Sequence, residues 1–168
     1  MAQTFELYLI RHGLAAERGP EYPDDGKRPL TSQGISRLKR EGCALVELDV
    51  TFDVILTSPL VRCRQTAEIF ASTVRSKPSI VNTDALAPGG TFGALLDELG
   101  RHSRRERIAL VGHEPDIGQL ACRLLGAKRS LEFKKGAICR IDVAALPPTA
   151  PGHLRWYLTP KMLRIIGK

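Results

Sequence analysis

The sequence predicts an α/β fold: a three-layer α/β/α sandwich on a mostly parallel central sheet. Two observations carry that expectation. Short apolar runs alternate along the chain with longer segments of mixed polarity, the rhythm of strands joined by crossover helices that cover both faces of a sheet. Three of the apolar runs also stop abruptly at Arg or His, or just before one. In open parallel sheets, ligands bind outside the carboxyl ends of the strands, where such residues would collect. At 168 residues the chain suffices for one well-buried domain, taken as residues 1–168, and is short for two.

The elements follow in order. Phe5 to Ile10 reads as a buried strand. A loop punctuated by Gly19-Pro20, Pro23, Asp24-Asp25-Gly26 and Pro29 comes next. Thr31 has the character of an N-cap, opening a helix that carries Ile35, Leu38, Leu45 and Leu48 towards the core. "DVILTS" (53–58) is a second strand, and Pro59 suits the first turn of a helix continuing through Phe70. "SIVN" is a third strand, ending in the loop "ALAPGG", after which Thr91 caps a helix to Leu99. "RIALVG" (107–112) is a fourth strand, and Pro115 suits the first turn of a helix to Leu125. "AICRIDV" and "HLRWYLT", with a Pro-rich turn between them, read as two closing strands, with Trp156 as core material.

Composition narrows the function classes. Hydrophobic residues make up 43% and charged ones 26%, as in ordinary globular proteins. Lys and Arg total 25 against 18 acidic residues, a net charge of +7 that favours anionic partners. An aromatic content of 5% provides few stacking platforms, and no helix-turn-helix, RNA-binding or zinc signature is present, so nucleic acid is not the expected partner. No secretory pattern opens the chain, and no apolar run approaches the roughly 18 residues of a membrane span. Cys43, Cys63, Cys122 and Cys139 are scattered without a C-x-x-C pair and read as reduced thiols, so a cytoplasmic location is expected.

The three strand ends carry the chemistry. "LYLI" runs into Arg11-His12-Gly13, "VILTS" into Pro59-Leu60-Val61-Arg62, and "IALVG" into His113-Glu114-Pro115. If those strands are parallel, two histidines and two arginines meet along one edge. A neutral imidazole is a good nucleophile toward phosphorus near neutral pH. Guanidinium groups neutralise phosphoryl oxygens in a fixed, bidentate geometry. Helix N-termini after Pro59 and Pro115 would add backbone donors, and Gly13 would let the backbone approach an anion closely. The set describes a phosphate pocket with a nucleophile in it.

With these residues in place the sequence resembles the histidine phosphatase superfamily, whose signature is Arg-His-Gly at the end of the first strand. "RPLTSQG" (28–34), "SPLVRCRQTA" (58–67), "VGHEPDIG" (111–118) and "LRWYLTPKMLR" (154–164) extend the likeness to the compact SixA-type phosphohistidine phosphatases. The resemblance implies a phosphoglycerate mutase-like fold. It implies His12 as the nucleophile, Arg11 and Arg62 as phosphoryl ligands, His113 as a hydrogen-bonding partner of the same group, and no metal or cofactor. Arg28 is a candidate for the pocket rim. The implied substrate is a phosphohistidine-bearing protein, such as a histidine-phosphotransfer domain or a phosphotransfer-system component, and a monomer is expected. A broader phosphomonoesterase activity is the alternative; a phosphate- or nucleic-acid-binding basic domain is the non-enzymatic one.

Other features bear on the choice of substrate. Leu14-Ala15-Ala16 replaces the polar segment of the mutases, which points to an open site able to admit a protein side chain. Expelling an alkoxide benefits from a positioned acid, whereas phosphohistidine can take a proton on its distal ring nitrogen and leave as neutral imidazole. Glu114 and Asp84 are the carboxylates available as a general acid. Cys63 lacks the C-x5-R spacing of cysteine phosphatases, since Ile69 stands at that offset, and reads as packing. The basic run Arg101–Arg107 reads as a solvated helix end and loop.

Overall fold

The computed structural model describes residues 2–168. Strands β1 (Phe5–Arg11), β2 (Val54–Thr57), β3 (Ser79–Asn82), β4 (Arg107–Gly112), β5 (Ile138–Val143) and β6 (His153–Leu158) form one sheet. Helices α1 (Ser32–Glu47), α2 (Val61–Thr73), α3 (Phe92–Arg101), α4 (Asp116–Leu125) and α5 (Pro160–Ile166) connect or follow them. Single 3-10 turns at Asp25–Lys27 and Asp84–Leu86 interrupt the loops after β1 and β3. Strand order is β3-β2-β4-β1-β5-β6. The first four strands are mutually parallel, β5 is antiparallel to β1, and β6 is antiparallel to β5.

Successive strand residues point to opposite faces, and the apolar sets divide accordingly. Leu7, Leu9, Val54, Leu56, Ile108 and Leu110 pack with Leu95 and Leu99 of α3 and Ile117, Leu120 and Leu124 of α4. Tyr8, Ile10, Ile55, Ala109 and Val111 pack with Leu38 and Leu45 of α1, Ala67 and Phe70 of α2 and Leu163 of α5. Each large apolar side chain buried this way contributes roughly 1.5–3 kcal/mol. These two cores hold the strands in a register that aligns their carboxyl ends.

The Thr31 hydroxyl accepts from Gly34 N–H at 2.9 Å and that of Thr91 from Ala94 N–H at 3.1 Å, so both expected N-caps are in place. Gly34 lies so close to the Leu14 carbonyl that a Cβ there would stand 2.1 Å from it. Thr31 N–H donates to the same carbonyl at 3.0 Å, so the first turn of α1 pins the chain just past His12.

Four details differ from expectation. Leu48 is 42% exposed, because α1 ends at Glu47 and Leu48 leaves its apolar face. Pro59 precedes α2, whose N-cap is Leu60, and Pro115 is itself the N-cap of α4; neither occupies the first turn. The chain ends in α5 rather than in a strand, and its start carried a signal: Thr159 as N-cap, accepting from Met162 N–H at 3.2 Å, with Pro160 in the first turn. Among the described residues no helix is long and apolar enough to cross a membrane.

Candidate active site

The ladder continues past the strand ends and sets the site. Arg11 pairs with Gly112 across β1 and β4, and His12 N–H donates to the Gly112 carbonyl at 3.1 Å. Across β2 and β4, Ser58 N–H donates to the Val111 carbonyl at 3.0 Å. His12, Ser58 and His113 therefore sit side by side, with the two imidazole rings 5.3 Å apart. Arg62, in the first turn of α2, reaches the same place. Arg11, His12, Arg28, Arg62, His113 and Glu114 line one cleft of about 380 Å³.

His12 is 5% exposed, and its Nδ1 lies 2.7 Å from the Gly13 carbonyl oxygen. A carbonyl only accepts, so Nδ1 carries the proton and Nε2 keeps its lone pair. Burial lowers the pKa of His12 to about 3; the Gly13 carbonyl opposes that shift, and the charges of His113, Arg62 and Arg11 reinforce it. His113 is lowered to about 4, first by burial and then by Arg62. Both rings are neutral at pH 7.

The arginines are held by backbone and by acid. Arg11 Nη1 donates to the Phe133 carbonyl at 2.7 Å, and Arg62 Nη1 to the Asp25 carbonyl at 2.8 Å. The Nε atoms of both are buried without a partner, leaving each a donor for an anion. An unmet buried donor costs about 1–3 kcal/mol, which an oxyanion in the cleft would recover. Arg28 is buried as well, donating from Nη1 to the Ala16 carbonyl at 2.7 Å. Arg18 and Lys135 add two further cations to the lining, against the acids Glu17 and Glu114.

Two residues expected here play other parts. Gly13 does not open its amide to an anion: its N–H donates to Thr66 Oγ1 at 3.1 Å. A Cβ at Gly13 would stand 2.5 Å from Leu38 Cδ1, so its lack of a side chain serves the packing of α1. Asp84 is exposed, opens the 3-10 turn after β3, and does not line the cleft. The strand order explains this, since β2 and β4 stand between β3 and β1. Glu114 does line the cleft; burial raises its pKa against the charge of Arg11, and its Oε1 is buried without a partner.

Supporting residues emerge that strand patterns could not identify. Ser58 Oγ lies 2.7 Å from His113 Nε2. Thr66 Oγ1 accepts from Gly13 N–H at 3.1 Å and donates to the Arg62 carbonyl at 2.7 Å, tying the end of β1 to helix α2. Both lie within "SPLVRCRQTA", Ser58 just past β2 and Thr66 in the second turn of α2. Cys63 Sγ is 3.3 Å from His113 Nε2, but burial pushes its pKa up to about 12, so it packs as a thiol. The basic run Arg101–Arg107 leads into the first residue of β4, at the opposite end of that strand from His113, and Arg101 and Arg107 pair with Glu98 and Asp53. Among the described residues no group of three His, Cys, Asp or Glu side chains could hold a metal ion.

Comparison with known proteins agrees with this geometry. Residues 7–87 match the Histidine phosphatase superfamily (branch 1). An uncharacterised protein of Picosynechococcus sp. strain PCC 7002 is 45% identical over 165 residues, spanning 94% of this chain and 98% of its own. Phosphohistidine phosphatase SixA of Escherichia coli strain K12 is 25% identical over 163 residues, 95% of this chain and 97% of its own. A solved structure of the protein histidine phosphatase SixA, complexed with tungstate, superposes with a TM-score of 0.83 at 23% identity, covering 94% of this chain and 98% of that one. On this agreement of sequence and fold, the chain belongs to the histidine phosphatase superfamily, resembles its compact SixA-type members, and is a phosphatase.

Proposed function

We propose that the cleft hydrolyses protein phosphohistidine through a covalent phospho-His12 intermediate. The observation that carries this reading is the 2.7 Å bond from His12 Nδ1 to the Gly13 carbonyl, which leaves Nε2 as the nucleophile. In the first step the Nε2 lone pair forms a bond to phosphorus while the P–N bond of the substrate breaks. A substrate imidazole protonated on its distal nitrogen takes that electron pair and leaves neutral. His12 then carries the phosphoryl group on Nε2 and its original proton on Nδ1, as a cationic ring. In the second step water forms a P–O bond, the P–Nε2 pair returns to His12, and dihydrogen phosphate departs. Neither step draws a proton from the protein.

Arg11 and Arg62 are placed to neutralise the phosphoryl oxygens as charge shifts during transfer. That a SixA relative named for phosphohistidine matches over nearly its whole length supports the same substrate class here. A SixA structure of similar fold holds tungstate, an oxyanion, which supports an oxyanion site. The partner would be a histidine-phosphotransfer domain or a phosphotransfer-system component. Four free cysteines suit a reducing, cytoplasmic setting.

A second reading, a broader phosphomonoesterase, is favoured by one feature: the raised pKa of Glu114 at the cleft. A carboxyl that burial makes a weaker acid, standing at the cleft, could give a proton to a departing alkoxide. The test is phosphate release from a phosphorylated histidine-phosphotransfer protein and from p-nitrophenyl phosphate, with His12→Ala alongside. Preference for the phosphoprotein is expected. Preference for the ester would favour the second reading, and release from neither would end both.

A further inference from the structure

One carboxylate beside the cleft holds three guanidinium groups. Asp25 Oδ2 accepts from Arg62 Nη2 at 2.9 Å, and its own backbone carbonyl accepts from Arg62 Nη1 at 2.8 Å. Asp25 Oδ1 accepts from Arg28 Nε at 3.1 Å and pairs with Arg18 Nε at 3.3 Å. Asp25 does not itself line the cleft.

We propose that Asp25 is a positioning residue for phosphoryl transfer, clamping Arg62 in the orientation that binds the phosphoryl group and tethering Arg28 to the same anchor. The inference rests on the reading of the cleft as a phosphoryl site.

The geometry favours a clamp over an incidental surface pair. Two parallel bonds to one residue fix the plane of a guanidinium, which a single contact would leave free to turn. The Arg62 side chain is 3% exposed, so water does not compete for it. A guanidinium has five N–H donors, of which Asp25 takes two on Arg62. Three remain for an incoming oxyanion, including the buried Nε–H that has no partner.

Charge argues the same way. Arg11, Arg28, Arg62 and Lys135 share one cleft, and their mutual repulsion would push the long side chains toward solvent. A fixed anion behind them holds two of the four, Arg28 and Arg62, in place. Burial would raise the Asp25 pKa, but the bonds and charges of Arg28 and Arg62 outweigh it and hold the carboxyl below its ordinary value, so it stays ionised at neutral pH. Arg18 is 80% exposed and contributes little to this arrangement. The neighbouring Asp24 has a different task, accepting from Gly26 N–H at 2.9 Å to cap the turn.

The test uses Asp25→Asn, which keeps the shape and the backbone bond but removes the charge, with Asp24→Asn as the control. Inorganic phosphate binding by calorimetry and p-nitrophenyl phosphate turnover are measured for each. Asp25→Asn is expected to weaken phosphate binding about tenfold and lower kcat/KM about 10–100-fold, with the thermal midpoint little changed. Asp25→Glu should recover part of the loss, and Asp24→Asn should match wild type. Because Asp25 acts through Arg62, adding Asp25→Asn to Arg62→Ala should cost little more. Wild-type-like phosphate binding and turnover in Asp25→Asn would overturn the clamp while leaving the phosphatase reading intact. So would an additive loss in the double variant, or losses in both Asp25→Asn and Asp25→Glu that merely track unfolding. A wild-type protein that neither binds phosphate nor turns over would overturn the functional reading, and the clamp with it.

Discussion

The Gly13 carbonyl oxygen, one residue beyond His12, lies 2.7 Å from His12 Nδ1 and fixes which ring nitrogen carries the proton. In the proposed phospho-His12 intermediate the ring would be cationic, and a charge-assisted bond to that carbonyl is stronger than the neutral one. On the proposed route the contact would orient the nucleophile before transfer and stabilise the intermediate after it.

The pH dependence follows from the neutral rings. Protonation of Nε2 removes the nucleophile, so activity is lost as pH falls through the His12 pKa. Burial puts that value at about 3, and places His113 at about 4. After correction for substrate ionisation, kcat/KM should stay flat from pH 8 down to about 5. A decline centred near 6.5, the ordinary histidine value, would show that the rings are not desolvated as described.

Thr66→Val should destabilise the protein by about 1–3 kcal/mol, because it orphans the Gly13 N–H and removes the hydroxyl donor to the Arg62 carbonyl. Thr66→Ser keeps both bonds and should stay near wild type. Urea denaturation of the three proteins checks this, and equal stability of the valine variant would refute it.

Gly13→Ala places a Cβ 2.5 Å from Leu38 Cδ1 in a packed layer. A loss of about 1–3 kcal/mol is expected from overpacking. Shortening the obstacle in Gly13→Ala/Leu38→Val should cost less than the sum of the single changes. Strict additivity in denaturation midpoints would mean that the two side chains do not collide.

Glu114→Gln separates the two substrate classes. A leaving imidazole needs no acid from the protein, so phosphohistidine turnover should change less than about threefold. Esters with poor alkoxide leaving groups should slow by about 10²-fold if Glu114 donates the proton. Equal loss on both substrates would place Glu114 in binding rather than in proton transfer.

The strands that lead to Arg11, Arg62 and His113 were legible because a buried strand betrays itself as an unbroken apolar run, and the polar residues after it stand out. The convergence of those ends needed only that β1, β2 and β4 be parallel, as they are. Strand order was not legible, since it is fixed by pairing between distant segments. That is why Asp84 could look like a site residue yet lie beyond two intervening strands. Asp25 was hidden for a related reason. In sequence it is part of a turn-forming Asp-Asp-Gly, and only the approach of α2 gives it Arg62 to hold. Gly13 suggested contact with an anion, but its neighbour Leu38 arrives from a helix 25 residues further on, so steric need passed for chemistry.

The most direct measurement is a rapid acid-free quench during turnover of a ³²P-labelled phosphohistidine protein, followed by mapping of the label on the enzyme. A transient acid-labile, base-stable phosphoryl group on the peptide containing His12, absent from His12→Ala together with turnover, is the predicted result. Undiminished phosphate release by His12→Ala would contradict the assignment of His12 as the nucleophile.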